Sequence, residues 1–511
     1  VVCIVFALFT QHRWEDYYIT YRASRNLVEG KGLVYQPGAR VHAFTSPAGV
    51  LLPALALQLA GGQSDTAALW IFRLWSIAAF TGAVTLLWQT TRTLGWTGFG
   101  SGLLVVLLLT DVKSVDFTIN GMETAFLLLC LSAMLHTLVH GGPGTWWKLG
   151  LWAAGLMWAR PDGFIFGGAV AIAWLLVLPT PQAAPHRRAL LGVYGRAALL
   201  AAAGYLPWLV WAWHYYGSFV PHTVIAKGLN SPLPALADLP GLLARQTVLF
   251  PWYGGIRDTF LPAYVWLHGW PAWVMVYAIG VAWLCLLYWI YPKAGAAGRT
   301  ASLAYFLCTL YGASVPAAPW YVPSYTLLAN VTLAAIADDV WRAHPGRQLL
   351  RVPFVLHGAF AAGLLLATAW QLRLQQALIE DQRTKIGHYL RAHSETPQDS
   401  VFLEPLGYIG YFSQLKMLDF PGLCAPEVVA ARRTVGDDWP ALIRRLHPDW
   451  LVLRRSQTQA FQWSDPGLVR TEYRLTKSFD VSAKIAAVRF LPGRGYLEVD
   501  QTFDVYRRCL D

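Results

Sequence analysis

Two adjacent carboxylates, Glu15 and Asp16, open the stretch Trp14-Glu15-Asp16-Tyr17-Tyr18-Ile19-Thr20-Tyr21-Arg22, directly after the apolar run Val1–Thr10. The pattern predicts a helix that stops at Gly30. Acidic residues in its first turn suit the positive end of the helix dipole, and a glycine after its last turn supplies the stop. A carboxylate at a membrane surface can also take a proton from a hydroxyl or hold a cation. Spacing alone leaves both readings open. Arg22 and Arg25 share a face of that helix, where they can meet lipid phosphates or neutralise Glu29.

Four further stretches carry polar groups of the right kind. Asn120-Gly121-Met122-Glu123 has the spacing of a capping box, with Glu123 at the start of an apolar segment. Arg160-Pro161-Asp162 forms a bend in which Arg160 can pair with Asp162 or grip a phosphate through its planar fork. Pro221-His222-Thr223 and Lys227 offer a second set of groups for an anion. The segment 32–47 turns at Pro37-Gly38, and its His42 reads as a solvated loop residue. The cysteines and histidines show no zinc spacing; Cys424 and Cys509 could pair.

The composition says what scaffold must hold these groups. The 511 residues are 55% apolar and 14% charged, with 25 tryptophans, and mean hydropathy is +0.39. A soluble domain carries about 25% charged residues. Val352–Gln371 contains no Asp, Glu, Lys or Arg, and roughly 20 apolar residues cross a bilayer core. A soluble enzyme, a disordered scaffold and a secreted disulfide framework are excluded.

Spanning segments are predicted near 1–10, 67–91, 98–110, 122–140, 147–159, 163–179, 197–214, 271–291, 300–315, 323–341 and 353–371, eleven in all. The chain opens without a methionine, so the first reads as the outer half of a helix; no cleavable signal peptide is visible. Ala48–Ala60 is short and bounded by Pro47 and Gly61, so it is expected to lie at the interface. Basic residues such as Arg92, Lys148, Arg299, Arg342 and Arg351 then fall in short loops on one face, as the positive-inside rule requires. The net charge of +11 reflects this bias more than any nucleic-acid footprint. The opposite face carries the loops 11–66 and 215–270. It also carries residues 372–511, where short β-like runs (Val401–Leu403, Trp450–Leu453, Ile485–Phe490, Thr502–Tyr506) alternate with helical ones such as Asp438–Leu446. The expected fold is a polytopic α-helical membrane domain over 1–371, with first loop 11–66, followed by a small soluble α/β domain.

The same residues resemble the GT-C class of integral-membrane glycosyltransferases, most of all its bacterial terminal arabinofuranosyltransferase branch. The likeness rests on Glu15-Asp16-Tyr17-Tyr18-Ile19, Arg22, Arg25-Asn26-Leu27, Gly30-Lys31-Gly32-Leu33-Val34-Tyr35, Phe44-Thr45-Ser46-Pro47, Gly121-Met122-Glu123-Thr124, Ala159-Arg160-Pro161-Asp162-Gly163 and Pro221-His222-Thr223 with Ala226-Lys227. It continues in Glu404-Pro405-Leu406-Gly407-Tyr408 and Leu418-Asp419-Phe420-Pro421-Gly422-Leu423. Two departures stand out: Glu15 replaces the first Asp of the usual pair, and His222 replaces an asparagine.

The resemblance implies transfer of a sugar, arabinofuranose first, from a polyprenyl phosphate to a glycan or protein acceptor at the extracytoplasmic face of a bacterial plasma membrane. It implies Asp16 as base, with Glu15 beside it. Arg160, Lys227 and His222 would hold the donor phosphate. Glu123, Asp162, Asn120, His42 and Tyr321 would meet sugar or acceptor. No cofactor is implied, and a divalent cation stays open. A mannose or aminoarabinose enzyme of the same fold is the nearest alternative. A transporter is the alternative from another class, but it would place charges at mid-membrane and show paired broken helices.

Overall fold

The computed structural model describes residues 1–177, 184–229, 236–238, 240–241, 255–265, 267–314, 318–488 and 490–509. Parts of the predicted spans 163–179 and 300–315 and of the loop 215–270 lie outside these residues.

Local chemistry sets where the helices begin. Ser46, Ser64 and Thr97 each accept a backbone N–H three residues on, starting α3 (Pro47–Leu59), α4 (Asp65–Thr93) and α5 (Gly98–Thr110). α1 (Val2–Thr10) precedes α2 (Glu15–Val28), whose two acidic residues sit in its first turn and Arg25 in its last, each matched to the dipole. α6 (Val112–Ile119) is a short helix the hydropathy windows did not reveal. After it come α7 (Thr124–His140), α8 (Trp146–Ala159), α9 (Gly163–Val177), α10 (Ala184–Tyr216) and α11 (His222–Gly228).

The helices pack around a core that includes Leu104, Leu128, Leu156, Tyr305 and Leu328, all fully buried. Apolar side chains also cover the outside: Leu199, Val276 and Leu366 are 73%, 70% and 72% exposed. A surface of that kind fits hydrocarbon, not water. Among the described residues, Asp65–Thr93, Arg188–Tyr216, Ala272–Ile290 and Gln348–His393 are long and apolar enough to cross a membrane. Pro47–Leu59, Gly98–Thr110, Thr124–His140 and Gly163–Val177 are apolar but shorter.

The helix Gln348–His393 runs on past the apolar stretch into the C-terminal part of the chain. There five strands, β1 (Ser400–Leu403), β2 (Lys416–Asp419), β3 (Trp450–Arg454), β4 (Tyr473–Asp480) and β5 (Thr502–Arg508), form one sheet of order β2-β1-β3-β5-β4. β1 is parallel to β2 and β3, with Val401 opposite Met417 and Trp450; β5 is antiparallel to β3 and β4. Alternate residues of β1 feed two layers. Val401 and Leu403 pack with Ile386, Leu390 and Ile409, whereas Phe402 packs with Val428, Leu442 and Ile443.

One expectation fails here and one open question closes. The run Ile485–Phe490 begins inside a helix, Ser482–Ala487, because Ile485 is drawn into a cluster with Ile379, Leu491 and Leu497; residue 489 lies outside the described residues. Cys424 and Cys509 are not paired: Cys424 is buried and Cys509 exposed, and both are free thiols.

Candidate active site

The backbone leading into α2 is bonded on both sides. From the helical bundle, the buried Arg73 donates to the carbonyls of Ile119 (2.6 Å) and His12 (2.7 Å), and the Trp14 N–H donates to the Asn120 carbonyl (2.9 Å). His12 is paired with Asp116 at 2.7 Å. Gly121 has φ +98 and lies against the Tyr17 ring so closely that a Cβ would collide with it. Only glycine meets both demands. From the C-terminal part, the Gln376 side-chain Oε1 accepts from the Arg13 backbone N–H (3.0 Å), and Tyr408 Oη donates to the Arg13 carbonyl (3.1 Å).

Asp16, in the first turn of α2, is different. Its carboxylate makes no hydrogen bond or ion pair among the described residues. Burial pushes it above the ordinary aspartate range, against the pull of Lys227 and Arg160. A desolvated carboxylate facing two cations, with no partner of its own, is poised to accept a proton.

Around it stand most of the other candidates. Arg160 Nη1 donates to Glu123 Oε1 at 3.1 Å, its Nε lies 3.4 Å from Asp162 Oδ1, and its guanidinium lies 4.2 Å over the Tyr321 ring. The Arg160 and Glu123 side chains are nearly dry, at 5% and 4% exposure. Tyr311 Oη donates to Asp162 at 2.8 Å. Lys227, on α11, is exposed and reaches 5.5 Å over Trp320, which in turn meets Trp14 edge-on. Arg432 fixes α11 by donating to the Ala226 carbonyl (3.0 Å) and the Pro421 carbonyl (2.9 Å). Asp16, Glu123, Arg160, Asp162, Tyr321 and Lys227 therefore belong to one group, drawn from α2, the α7–α9 ends, α11 and the start of the helix Val322–Ala343.

Four candidates fall outside it. Glu15 is turned towards the C-terminal part: its Oε1 accepts from Gly407 N–H (2.5 Å) and its Oε2 from Arg383 (2.8 Å). His42 is enclosed by Phe44, Trp208 and Tyr216, the last stacked at 4.6 Å; it is buried, not solvated, and burial pushes its imidazole down to about 4. The backbone N–H of His222 donates to the His42 carbonyl (2.9 Å). Burial lowers the His222 pKa against the pull of Asp419 and the Gly422 carbonyl, groups of the C-terminal part. Asn120 donates to Asp116 (3.1 Å) and accepts from Met122 N–H (3.2 Å). The expected capping box is absent because Glu123 spends its carboxylate on Arg160.

Arg22 and Arg25 are not free for lipid phosphates. Arg22 is buried and donates to the carbonyls of Gly410 and Leu415, and Arg25 pairs with Glu29 and Asp65. No group of three or more His, Cys, Asp or Glu side chains among the described residues is arranged to hold a metal ion.

Since both polar ends of the Asn120 side chain are occupied, Asn120→Ala is expected to cost about 1–3 kcal/mol of stability. Thermal unfolding in detergent, beside an unchanged KM for donor and acceptor, checks this; a raised acceptor KM at full stability would return Asn120 to the binding groups.

A domain of unknown function (DUF8728) matches residues 371–506. Over 335 residues the chain is 28% identical to a terminal beta-(1->2)-arabinofuranosyltransferase of Mycobacterium tuberculosis, covering 55% of this chain and 49% of that protein. A Corynebacterium glutamicum protein of the same name is 27% identical over 240 residues, or 42% of this chain and 33% of that one. The matches thus span half or less of these relatives' length. In fold, the chain is similar to ArnT from Cupriavidus metallidurans bound to undecaprenyl phosphate, with a TM-score of 0.53 at 12% identity over 99% of this chain and 96% of that one. It is also similar to the mycobacterial arabinofuranosyltransferase AftD, with a TM-score of 0.50 at 14% identity over 100% of this chain and 40% of that one. The resemblance to GT-C glycosyltransferases expected from the motifs is borne out, in sequence by the first pair and in fold by the second.

Proposed function

We propose that this chain, with the GT-C fold and a sequence similar to terminal arabinofuranosyltransferases, is a membrane glycosyltransferase. It moves arabinofuranose from a polyprenyl phosphate to a cell-envelope glycan or protein acceptor, with Asp16 as general base. The observation that carries the reading is the unpartnered Asp16 carboxylate beside Lys227 and Arg160. The bond from the anomeric carbon to the phosphate oxygen breaks, and its electron pair leaves with the phosphate. The acceptor oxygen forms the new bond and gives its proton to Asp16. A lipid phosphate is a good leaving group, so positioning and charge stabilisation supply most of the catalysis.

Lys227, which has no ion pair among the described residues, meets the departing phosphate together with Arg160. Glu123 and Asp162 hold sugar hydroxyls while they orient Arg160, and Tyr321 and Trp320 offer ring faces to the sugar. The four long helices, with α1, α5, α7, α8, α9 and the helices Ala296–Ser314 and Val322–Ala343, make the eleven spans, with α3 at the interface. Residues 372–511 and the site then face the extracytoplasmic side of a bacterial plasma membrane.

The test is transfer in detergent from synthetic polyprenyl phosphoarabinose to an arabinan oligosaccharide, comparing wild type with Asp16→Asn. Transfer by wild type and its loss in a folded variant support the donor and the base. Transfer only from a phosphomannose or aminoarabinose donor would keep the fold and replace the sugar. No transfer from any polyprenyl phosphate sugar would overturn the reading.

A further inference from the structure

Glu15 lies one residue from the proposed base, yet nothing about it is free to react. Its two carboxylate oxygens are taken by Gly407 N–H and Arg383. Arg383 is itself 5% exposed, donates to Glu380 at 2.9 and 3.1 Å and pairs with Asp500. Arg454 joins Asp500 to Glu404 on the far side. Packing repeats what the charges show. Gly407 lies so close to the Glu15 carbonyl oxygen that a Cβ there would collide with it.

From this geometry we infer that Arg383 and Glu15 are positioning residues. Through them the C-terminal unit, which a domain of unknown function matches, sets the orientation of Asp16 and completes the active site. The inference rests on Asp16 being the base. Asp16 has no side-chain partner to hold it, so its placement depends on the backbone of residues 12–15 and on Glu15. Of those, Arg13 and Glu15 are held by the C-terminal unit, whereas His12 and Trp14 are held by the bundle. An unbonded base held through its neighbours keeps its full acceptor capacity, which a direct partner would consume. The buried ion pair is accordingly placed for geometry; as a source of net stability such pairs are weak.

The test is a double-mutant cycle of Arg383→Met and Glu15→Gln, read as kcat, donor KM and the pH profile of transfer. A misplacement of about 1 Å costs on the order of a hundredfold in rate. Arg383→Met is therefore expected to lower kcat by about 30- to 100-fold, with donor KM within about threefold and the acid limb of the profile still present. The double variant is expected to fall no further than Arg383→Met alone, since residues acting as one unit are non-additive. Gly407→Ala, which pushes on the Glu15 carbonyl without changing charge, is expected to show the same kcat-only loss and serves where Arg383→Met does not fold.

An unchanged kcat in folded Arg383→Met or Gly407→Ala would overturn the inference, as would full additivity in the cycle. Loss of the acid limb in Glu15→Gln would overturn it too, by making Glu15 the base. Failure of the underlying reading looks different: there Asp16→Asn keeps wild-type transfer, or wild type transfers nothing.

Discussion

Arg160→Met is expected to abolish transfer, by about a thousandfold, and to cost about 3–5 kcal/mol of stability. Both effects come from one position because this guanidinium serves two masters. Its Nη1 neutralises Glu123 in a site where both side chains are almost dry, and its Nε lies beside Asp162. Removing it leaves the Glu123 carboxylate buried and uncompensated, which is far costlier than removing the pair. It also removes one of the two cations that face Asp16 and, in the proposed reaction, the leaving phosphate. The two losses can be separated. In Arg160→Met combined with Glu123→Gln the orphaned charge is gone, so chemical unfolding in detergent is expected to recover most of the stability while transfer stays abolished. Arg160→Lys keeps the charge without the fork and falls between them. If the double variant regained activity together with stability, Arg160 would be a structural residue and the phosphate would rest on Lys227 alone.

What the sequence disclosed and what it hid follow from how local each signal is. Apolar windows such as Val352–Gln371 carry their meaning within one segment, so the helices were readable, although α6, only eight residues and rich in polar groups, was not. Strand β4 was hidden because its burial is low and irregular at the edge of the sheet, and β2 because Lys416 and Asp419 bound just two apolar residues. Ile485–Phe490 has strand-like composition, but tertiary packing on the long helix overrides that propensity. In the site, Asp16 and Arg160 stood out because a membrane-end charge is conspicuous in a chain so poor in charge. The partner of Glu15 could not be found that way. Arg383 lies in a charged helical stretch where arginine is unremarkable, and only the fold brings it across 368 residues of sequence to α2. His42 misled for the opposite reason: its place in a loop that turns at Pro37-Gly38 suggested solvent, whereas its neighbours in space are aromatic rings.

Asp16→Asn is expected to separate stability from activity, and to do so with a definite pH dependence. The carboxyl titrates above the ordinary aspartate value because burial outweighs the attraction of Lys227 and Arg160. The unfolded chain has the ordinary value, about 3.9. Below that value both states hold the proton and the residue contributes nothing different from a neutral side chain. As pH rises from there through the folded-state value, the unfolded state ionises more easily than the native one, so wild type loses stability and then levels off. Asparagine has no such transition. The variant is therefore expected to match wild type in thermal unfolding at about pH 3 and to unfold at a higher temperature than wild type by about pH 7.

Transfer moves the other way: wild-type kcat/KM rises over the same pH window as the base ionises, while the variant stays lower by about 10²–10⁴-fold at neutral pH. A residue that destabilises the native state in the very pH range where it becomes useful is one kept for its chemistry. The opposite outcome, a variant less stable than wild type at neutral pH, would mean that attraction to the two cations outweighs burial. Asp16 would then be a structural counter-ion, and the proton would have to leave by another group.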